Sequence, residues 1–424
     1  MKNINPARSG VKLQTLKGFR DFLPKEARKR QYVANILIKV FESYGFEPLE
    51  TPALEYEEIL LGKYGEEGDK LMYRFEDLGK RKVALRYDQT VPLARVIAQY
   101  QNDLPMPFKR YQIQNVWRAE NTQRGRYREF LQCDADIVGS SSPFSDAEII
   151  TVAADSLKKL GFKNFKILVN DRSVFSSFDK FGSLPEKDLS IVVKAIDKLK
   201  KIGEEKVLDE LIRNGIEKER ATYILQALRE KKPTPQINEI LDSLKKLGLS
   251  ENEIEFLPTL ARGLDYYTGM IFEVEIDGYT AGSVAGGGRY DNLIGLFAKK
   301  LVPAVGFAFG FDRLIETMDA LSLFPQNLIT TKVLVTIFSN DLKEKSFEIY
   351  QKVRNENINC EIYLDENTPL EKQLKYADKK GIPYAIIIGP EEAKNNTVTL
   401  KNLKTGEQKI TDLEQITKQL GTSN

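Results

Sequence analysis

The sequence predicts an α+β protein built on an antiparallel sheet, interrupted by a helical insertion and followed by a separate α/β domain. Three observations lead to this prediction. Two long strand candidates follow one another between residues 110 and 139. Residues 171–250 are dominated by Lys, Glu, Leu and Ile at helical spacing. From about Lys332 strand and helix patterns alternate, which is typical of a mainly parallel sheet.

The N-terminal elements can be assigned in order. Residues 25–44 place apolar side chains at helical spacing, and Gly45 ends the pattern. The extended segment FEPLETP follows and ends at Pro52. Residues 71–87 read as a hairpin that turns at Leu78-Gly79-Lys80, and FSDAEIITVAADSLKKLG reads as a helix.

The second long strand, within GRYREFLQCDADIVG, alternates strictly between apolar and polar residues. Its apolar residues are Leu131, Cys133, Ala135 and Ile137, and the residues between them are Gln132, Asp134 and Asp136. Since side chains two apart share a face of a strand, one face packs on a core and the other carries an amide and two carboxylates. By itself this polar face fits either a solvated sheet surface or a pocket for a small cationic ligand.

The remaining core elements follow the insertion. ARGLDYYTGMIFEVEIDGYT predicts strands, the glycine cluster AGSVAGGGRYDNLIG comes next, and VPAVGFAFGFDRLIETM passes from a strand into a helix. A domain boundary is expected near Phe324-Pro325-Gln326. The predicted organisation is a first core part at 1–170, the helical insertion at 171–250, a second core part at 251–325 and the α/β domain at 331–424.

Composition restricts the chemistry. The 424 residues include no histidine, which excludes Ser-His, Cys-His and His-zinc sites. Two distant cysteines argue against zinc and for a reducing compartment. MKNINPARSG has no apolar signal-peptide core and no apolar run is long enough to span a membrane, so a cytoplasmic protein is expected. The last 94 residues hold 14 basic and 14 acidic residues, so their linear sequence shows no basic patch for nucleic acid.

Several further polar residues accompany the alternating strand. Arg118 ends the preceding strand, and Arg124, Arg126 and Arg128 lie in the loop between the two. LRYDQTVPLAR adds Arg86, Asp88 and Thr90, while RGLDYY adds Arg262, Asp265 and two tyrosines expected on opposite faces. Such arginines can form structural ion pairs, but guanidinium groups also bind phosphate and carboxylate in bidentate fashion. Together these residues could hold a triphosphate at the arginines and an amino acid at the acids.

These segments resemble the histidyl-tRNA synthetases, which are class II aminoacyl-tRNA synthetases, over essentially the whole chain. The first helix with FEPLETP resembles class motif 1, YQIQNVWRAENTQRGRYREFLQCDADIVG resembles motif 2, and VGFAFGFDRL resembles motif 3. RGLDYY and AGGGRYD are more specific and resemble the two histidine-binding signatures. LRYDQT is similar to the archaeal and eukaryotic form of its motif, whereas LRPEGT is common in bacteria.

The resemblance implies ATP- and Mg²⁺-dependent activation of L-histidine to histidyl-adenylate, with release of pyrophosphate. Transfer to the 3′ end of tRNA(His) then releases AMP. The implied catalytic residues are Arg262, Arg118 and Arg313. The implied histidine-binding residues are Asp88, Gln89, Thr90, Gln132, Asp136, Arg262, Tyr266 and Tyr267. The implied ATP-binding residues are Arg118, Glu120, Arg126, Tyr127, Phe130 and Arg313, and no metal ligand is assigned to a protein side chain.

The resemblance also implies individual roles. Asp88, Thr90 and Gln132 would meet the α-ammonium group, Asp136 and Tyr267 the imidazole nitrogens, and Arg262 the carboxylate and α-phosphate. Asp134 is given no ligand role, and Tyr266 is expected mainly in the core. Arg126 and Arg128 would position the motif 2 loop either on ATP or on the tRNA acceptor end.

The resemblance further implies that the insertion contacts the tRNA acceptor arm and that the C-terminal domain reads the anticodon. It also implies a homodimer through motif 1. Ligands without two ring nitrogens would leave Asp136 or Tyr267 unpaired, so no editing domain is expected. Two alternatives stay open: a regulatory subunit of ATP phosphoribosyltransferase that senses histidine, and a class II synthetase for another amino acid, such as proline or threonine. The C-terminal domain and full arginine set argue against the first, and RGLDYY and AGGGRYD against the second. The glycines Gly286, Gly287 and Gly288 could also form a plain turn.

Overall fold

The chain was analysed as a computed structural model. The structure describes residues 12–122, 125–178, 182–262, 266–279, 282–298 and 300–412, together with 415, 416, 418 and 420. The chain divides into two compact units, Met1–Phe324 and Pro325–Asn424. The N-terminal decapeptide and two site candidates, Arg124 and Asp265, lie outside the described residues.

The first unit contains one large sheet and smaller ones. Its strands are β1 (Glu47–Pro48), β2 (Leu54–Tyr56), β3 (Arg74–Glu76), β4 (Lys82–Leu85), β5 (Phe108–Trp117), β6 (Glu129–Val138), β7 (Phe165–Asp171), β8 (Ser177–Phe178), β9 (Gly182–Ser183), β10 (Ile254–Phe256), β11 (Met270–Ile276), β12 (Ala285–Arg289) and β13 (Ala304–Gly310). Among the described residues the large sheet has the order β1-β5-β6-β13-β12-β11-β7-β10. It is antiparallel except at the two edges, where β1 pairs with β5 and β10 with β7 in parallel.

The helices of this unit lie before, between and after these strands. They are α1 (Pro24–Ser43), α2 (Glu57–Leu60), α3 (Gly65–Lys70), α4 (Thr90–Tyr100), α5 (Pro143–Lys159), α6 (Glu186–Ile196), α7 (Leu199–Ile202), α8 (Glu204–Arg213), α9 (Lys218–Glu230), α10 (Pro235–Lys246) and α11 (Phe311–Ala320). The predicted helices at 25–44 and 144–161 are therefore confirmed as α1 and α5. The predicted strand-to-helix passage is confirmed as β13 followed directly by α11.

The alternation along β6 works as predicted. Cys133, Ala135 and Ile137 lie in the main hydrophobic core. Gln132, Asp134 and Asp136 lie on the opposite face of the strand. In the antiparallel register with β5 their partners are Gln114, Gln112 and Arg110, respectively. The polar face of β6 is thus continued by polar residues of β5.

On its other side, β6 has a neighbour with very small residues. In the register of β13, Gly306 is the partner of Asp136, Ala308 of Asp134 and Gly310 of Gln132. A Cβ atom at Gly306 would lie 1.9 Å from Oδ1 of Asp136, so this position cannot carry a side chain without moving the carboxylate. The small residues leave open space above the sheet next to the acids.

The helical insertion has a hydrophobic core of its own, formed by buried residues between Val174 and Leu228, together with Ala261. Helix α10 belongs elsewhere, since Ile237, Ile240 and Leu244 pack in the core beneath the large sheet. The helical character predicted for 171–250 is present, but its last helix is part of the sheet's packing. Lysine- and leucine-rich helices look alike in sequence whichever core they pack on.

The second unit is a five-stranded sheet with helices. Its elements are β14 (Val333–Val335), α12 (Lys343–Asn355), β15 (Cys360–Ile362), α13 (Leu370–Lys380), β16 (Tyr384–Ile387), α14 (Pro390–Asn395), β17 (Val398–Asn402) and β18 (Gln408–Thr411). The strand order is β15-β14-β16-β17-β18. The first three strands are parallel and the last two form an antiparallel hairpin, as predicted. In the described part of the chain, no helix combines the length and apolar character needed to cross a membrane.

Candidate active site

A cavity of about 480 Å³ opens above the polar face of β6. Most of the residues proposed from the sequence line it, although they come from distant segments: Asp88, Thr90, Arg118, Glu120, Arg126, Tyr127, Phe130, Gln132, Asp136, Arg262, Tyr266, Tyr267 and Arg313. We call the part lined by Asp88, Gln132, Asp134 and Asp136 the acid end, and the part lined by Arg118, Arg126 and Arg313 the arginine end. The two ends adjoin, because Arg118 also acts on Asp88 and Asp134. The sequence prediction that these groups share one cavity therefore agrees with the structure.

Asp88 is held at the N-terminus of α4. Its Oδ1 accepts hydrogen bonds from the backbone N–H groups of Thr90 and Val91, both at 3.1 Å, and from the hydroxyl of Tyr64 at 2.9 Å. Burial raises the pKa of Asp88, and these three donors oppose that rise. The carboxylate is thereby fixed in orientation before any ligand enters.

The three polar side chains of β6 differ in how they are partnered. Oε1 of Gln132 and Oδ1 of Asp134 are buried without a hydrogen-bond donor. Asp136 receives a hydrogen bond from the hydroxyl of Tyr290 on Oδ1, and its Oδ2 lies 2.7 Å from Nη2 of Arg110. Burial raises the pKa of both aspartates, to the greater extent for Asp134, while Arg110 opposes the rise at each. Unpaired buried acceptors of this kind are costly unless a ligand satisfies them.

Tyr266 and Tyr267 both line the cavity, which corrects two expectations. Their rings lie 4.9 Å apart between centroids and do not point to opposite faces. The reason is that these residues precede β11 and are not in a strand, so strand alternation does not apply to them. Tyr266 is also not simply a core residue, because it is only partly buried and reaches the hydroxyl of Thr90.

Arg262 lines the cavity and forms an ion pair with Glu273. Its Nη1 donates to Oε1 of Glu273 at 2.9 Å, and its Nε is buried without an acceptor. Burial disfavours its charge, but Tyr267 and Glu273 more than offset this and raise the pKa of Arg262. A Cβ atom at Gly286 would lie 1.8 Å from Nη1, so the glycine makes room for the guanidinium group. Gly286–Gly288 lie within strand β12, so they do not form a plain turn.

The arginine end of the cavity is more open. Arg118 donates from Nε to the carbonyl of Tyr87, and its guanidinium carbon lies 4.3 Å from the centre of that ring. Arg313, in the first turn of α11, donates to the carbonyl of Ser283 at 3.0 Å. The side chain of Arg126 remains 43% exposed and is 3.6 Å from Glu120. These guanidinium groups keep N–H donors free to face the cavity, since each has five.

Some sequence candidates are not brought to the cavity. Gln89 is fully buried beneath it and donates to the backbone carbonyls of Gln114 and Gln132. Arg86 is likewise structural, because it donates to the carbonyls of Thr51 and Asn115. Gln89 was named as a histidine contact, so it is the one described site residue that the cavity does not include. Arg128 also does not line it.

Five residues with direct roles in the geometry were not identified from sequence. They are Tyr64, Arg110, Asp197, Glu273 and Tyr290. Asp197 belongs to the helical insertion, so the insertion contributes a carboxylate to the cavity wall. Tyr290 lies within the quoted AGGGRYD segment, and that segment was the signal that could have identified it. The pairing of Arg110 with Asp136 needed the strand register, which the sequence does not give.

Comparison with known proteins bears on this arrangement. A family model described as "Histidyl-tRNA synthetase" matches residues 18–314. The chain belongs to this family. A second model, "Anticodon binding domain", matches residues 332–422, which is nearly the whole α/β unit. Of the relatives compared, the histidine–tRNA ligase of Cytophaga hutchinsonii is 40% identical over 92% of this chain and 96% of its own length.

Solved structures agree with the family assignment. The crystal structure of histidyl-tRNA synthetase from Nostoc sp. PCC 7120 superposes with a TM-score of 0.84 at 31% identity, covering 97% of this chain and 99% of that one. A Bacillus halodurans structure titled as an ATP phosphoribosyltransferase regulatory subunit/histidyl-tRNA synthetase gives a TM-score of 0.70 at 21% identity. It covers 86% of this chain and 97% of that one, and it supports the fold alone.

Proposed function

We infer that the chain is a histidine–tRNA ligase, which activates L-histidine with ATP and transfers it to tRNA(His). The observation that carries this inference is a single cavity with buried acceptors at one end and arginines at the other, in a member of this family. An amino acid with an ammonium group and a ring N–H can satisfy the acceptors. The triphosphate of ATP can satisfy the guanidinium groups.

We assign the acid end to histidine. Asp88, Thr90 and Gln132 would surround the α-ammonium group, while Asp136 and Tyr267 would meet the imidazole nitrogens. Support comes from the unpartnered oxygens of Gln132 and Asp136, which give the ligand acceptors to bind. A ligand without ring nitrogens would leave these groups desolvated and unpaired, which is the costly case for discrimination.

We assign the arginine end to ATP. Arg118 and Arg313 would contact phosphate oxygens, with Glu120, Arg126, Tyr127 and Phe130 completing the nucleotide site. Phe130 also lies beneath Arg118, with 5.2 Å between the guanidinium carbon and the ring centre. This contact limits the positions that the guanidinium group can take, which supports its use as a fixed phosphate ligand.

The chemical step follows from these assignments. The carboxylate of histidine attacks the α-phosphorus in line, and the bond from that phosphorus to the pyrophosphate oxygen breaks. The nucleophile is already ionised, so no protein base is needed, and the absence of histidine from the chain removes nothing required. The protein contributes positioning and neutralisation of growing negative charge. We place Arg262, which lines the same cavity, at the two reacting groups.

Magnesium is treated as a companion of ATP. In the described residues no group of three or more His, Cys, Asp or Glu side chains is arranged to hold a metal ion. We propose that Mg²⁺ enters with ATP, because this ion is usually held by phosphate oxygens, water and one or two carboxylates. Glu120 lines the nucleotide end and could complete the shell. When bound, the ion would neutralise part of the triphosphate charge.

The assignment of the other domains follows the same inference. We propose that the unit matched by the anticodon-binding model contacts the tRNA anticodon and that the helical insertion contacts its acceptor arm. Fourteen basic and fourteen acidic residues in the last 94 give that unit no overall attraction for RNA. Its affinity must therefore come from local contacts. We also place the protein in the cytoplasm, where its two unpaired cysteines fit a reducing environment.

We propose a homodimer that uses the outer face of the small sheet β2-β4-β3, next to the segment that resembles motif 1. Leu54, Tyr56 and Phe75 share this face and are 43%, 52% and 47% exposed. Sedimentation velocity should give a mass near twice 48.3 kDa, and Phe75→Glu should shift it towards the monomer. A monomeric wild-type protein at micromolar concentration would refute the dimer.

The ligase activity is tested by ATP–pyrophosphate exchange with each of the twenty amino acids. Exchange with histidine alone is expected, and exchange with proline or threonine would support the alternative synthetases. A histidine-binding protein without any exchange would support the regulatory-subunit alternative. The presence of the anticodon-binding unit and of the arginine set at the nucleotide end favours the ligase over that regulator.

A further inference from the structure

Asp136 is held in an enclosed group of side chains that the ligase mechanism does not use. Arg110, on the neighbouring strand β5, is fully buried, and its Nη2 lies 2.7 Å from Oδ2 of Asp136. The hydroxyl of Tyr290 donates to Oδ1 from the opposite side. Gly306 leaves room for the carboxylate, because a Cβ atom there would lie 1.9 Å from Oδ1. The ion pair and the tyrosine hydrogen bond therefore hold Asp136, which lines the cavity.

Arg110 makes two hydrogen bonds besides its ion pair with Asp136. Its Nη1 donates to Gln112 and its Nη2 to the backbone carbonyl of Gln89, at 3.2 and 3.4 Å, and its Nε has no acceptor. Arg110 does not line the cavity, so it cannot touch a ligand there. Burying a guanidinium group costs free energy unless a nearby anion balances its charge. The nearby carboxyl groups are those of Asp136, which forms the ion pair, and Asp134.

One carboxylate oxygen of Asp136 has no hydrogen-bond donor. Although Arg110 is within ion-pair distance of Oδ2, its N–H groups are not aligned on that atom, and Oδ2 has no hydrogen-bond donor. Oδ2 is thus an acceptor that a ligand can satisfy, and Arg110 supplies a positive charge beside it. A neutral N–H donor would complete it, whereas a cationic donor would bring a second positive charge close to Arg110.

We propose that Arg110 is a positioning and charge-balancing residue, which makes the acid end bind the histidine ring as neutral imidazole and disfavours imidazolium. This inference rests on the ligase function proposed above. The charged and titratable groups around the ring site are Arg110 of β5, Arg118 after β5, Asp134 of β6, Asp88 before α4, Tyr64 before α3, Tyr290 after β12, and Arg262, Tyr266 and Tyr267 before β11. Asp88 is left to balance the α-ammonium group.

The second carboxyl group on this face, Asp134, competes with Asp136 for the positive charge of Arg110. It makes no hydrogen bond through Oδ1, and burial next to Asp136 raises its pKa well above the ordinary value. One guanidinium group cannot keep two adjacent buried carboxylates ionised at no cost, and Arg110 makes its ion pair with Asp136. Burial therefore disfavours the ionised form of Asp134 more than that of Asp136, which has the ion pair with Arg110.

The first test is the pH dependence of pyrophosphate exchange by the wild-type protein. Free histidine has a ring pKa of about 6.5, so a site that accepts only neutral imidazole should show a KM for histidine about tenfold higher at pH 5.5 than at pH 7.5. The KM for ATP, measured in the same assays, serves as the control. A KM for histidine that stays flat or falls at low pH overturns the proposal, while absence of exchange overturns the proposed function instead.

The second test compares variants of Arg110. Arg110→Met removes the balancing charge, so Asp136 should then prefer imidazolium and the KM for histidine should no longer rise at pH 5.5. Arg110→Lys keeps the charge and should keep the wild-type direction of the pH profile. A merely structural role predicts that both variants lose activity with an unchanged pH profile, which would contradict the proposal.

A third measurement needs no variant, in case Arg110→Met does not fold. Histidine labelled with ¹⁵N in the ring is bound to the wild-type protein at pH 6.0 and examined by NMR. Two well-separated ring nitrogen resonances, one protonated and one not, are expected for neutral imidazole. Two resonances close together, as in imidazolium, would overturn the proposal.

Discussion

The two ends of the cavity solve the problem of binding charge in different ways. At the acid end Arg110 is fully buried and Asp136 is 3% exposed, and the two form an ion pair. At the arginine end the side chain of Arg126 is 43% exposed, and solvent can screen it. The buried end is therefore organised for selectivity, because desolvated groups penalise a wrong partner. The open end is suited to a highly charged ligand that carries its own cations.

Substitution of Arg262 should have the largest effect on adenylation. Arg262→Ala is expected to lower kcat for adenylation by about 10²–10³-fold with a modest change in the KM for ATP, because the arginine neutralises charge that grows in the transition state. Pyrophosphate exchange kinetics measure this. Glu273→Gln, which removes only the partner of Arg262 in the empty cavity, is the matched control and should cost less than about tenfold. A mutant with a raised KM alone would contradict this role.

A change at the buried end should affect histidine selectively. Asp136→Asn keeps the shape but removes the charge, and we expect the KM for histidine to rise by about 100-fold while the KM for ATP stays within about twofold. Asp134→Asn, on the same strand face, is the matched comparison and should raise the KM for histidine by less than about tenfold. Equal effects of the two substitutions would mean that the acid end has no single ring-binding carboxylate.

A change at the open end should be smaller and sensitive to salt. Arg313→Ala is expected to raise the KM for ATP by about tenfold and leave the KM for histidine nearly unchanged. Raising the ionic strength from 50 to about 300 mM should increase the wild-type KM for ATP by a few-fold and the KM for histidine hardly at all, because buried pairs are screened less. Equal salt dependence of both constants would remove the distinction between the two ends.

The extent to which sequence predicted the site depends on the kind of signal involved. The strict alternation of β6 correctly separated Gln132, Asp134 and Asp136 from the core residues, because the two-residue period of a strand is a local property. The same reasoning failed for Tyr266 and Tyr267, which lie outside a strand and both reach the cavity. Gln89 stays a prediction as a histidine contact; it does not line the cavity, and whether a residue points into a cavity depends on the packing of α4 on the sheet.

By itself, the sequence determined the order of elements, the polar face of β6, the parallel βαβαβ pattern of the second unit and the absence of histidine chemistry. These follow from periodicity and composition, which act over a few residues at a time. Only the tertiary structure decided that Arg110 stands behind Asp136, that Glu273 holds Arg262 and that α10 packs beneath the large sheet. Those contacts join residues distant in sequence or on different strands, and their geometry is set by strand register and by burial.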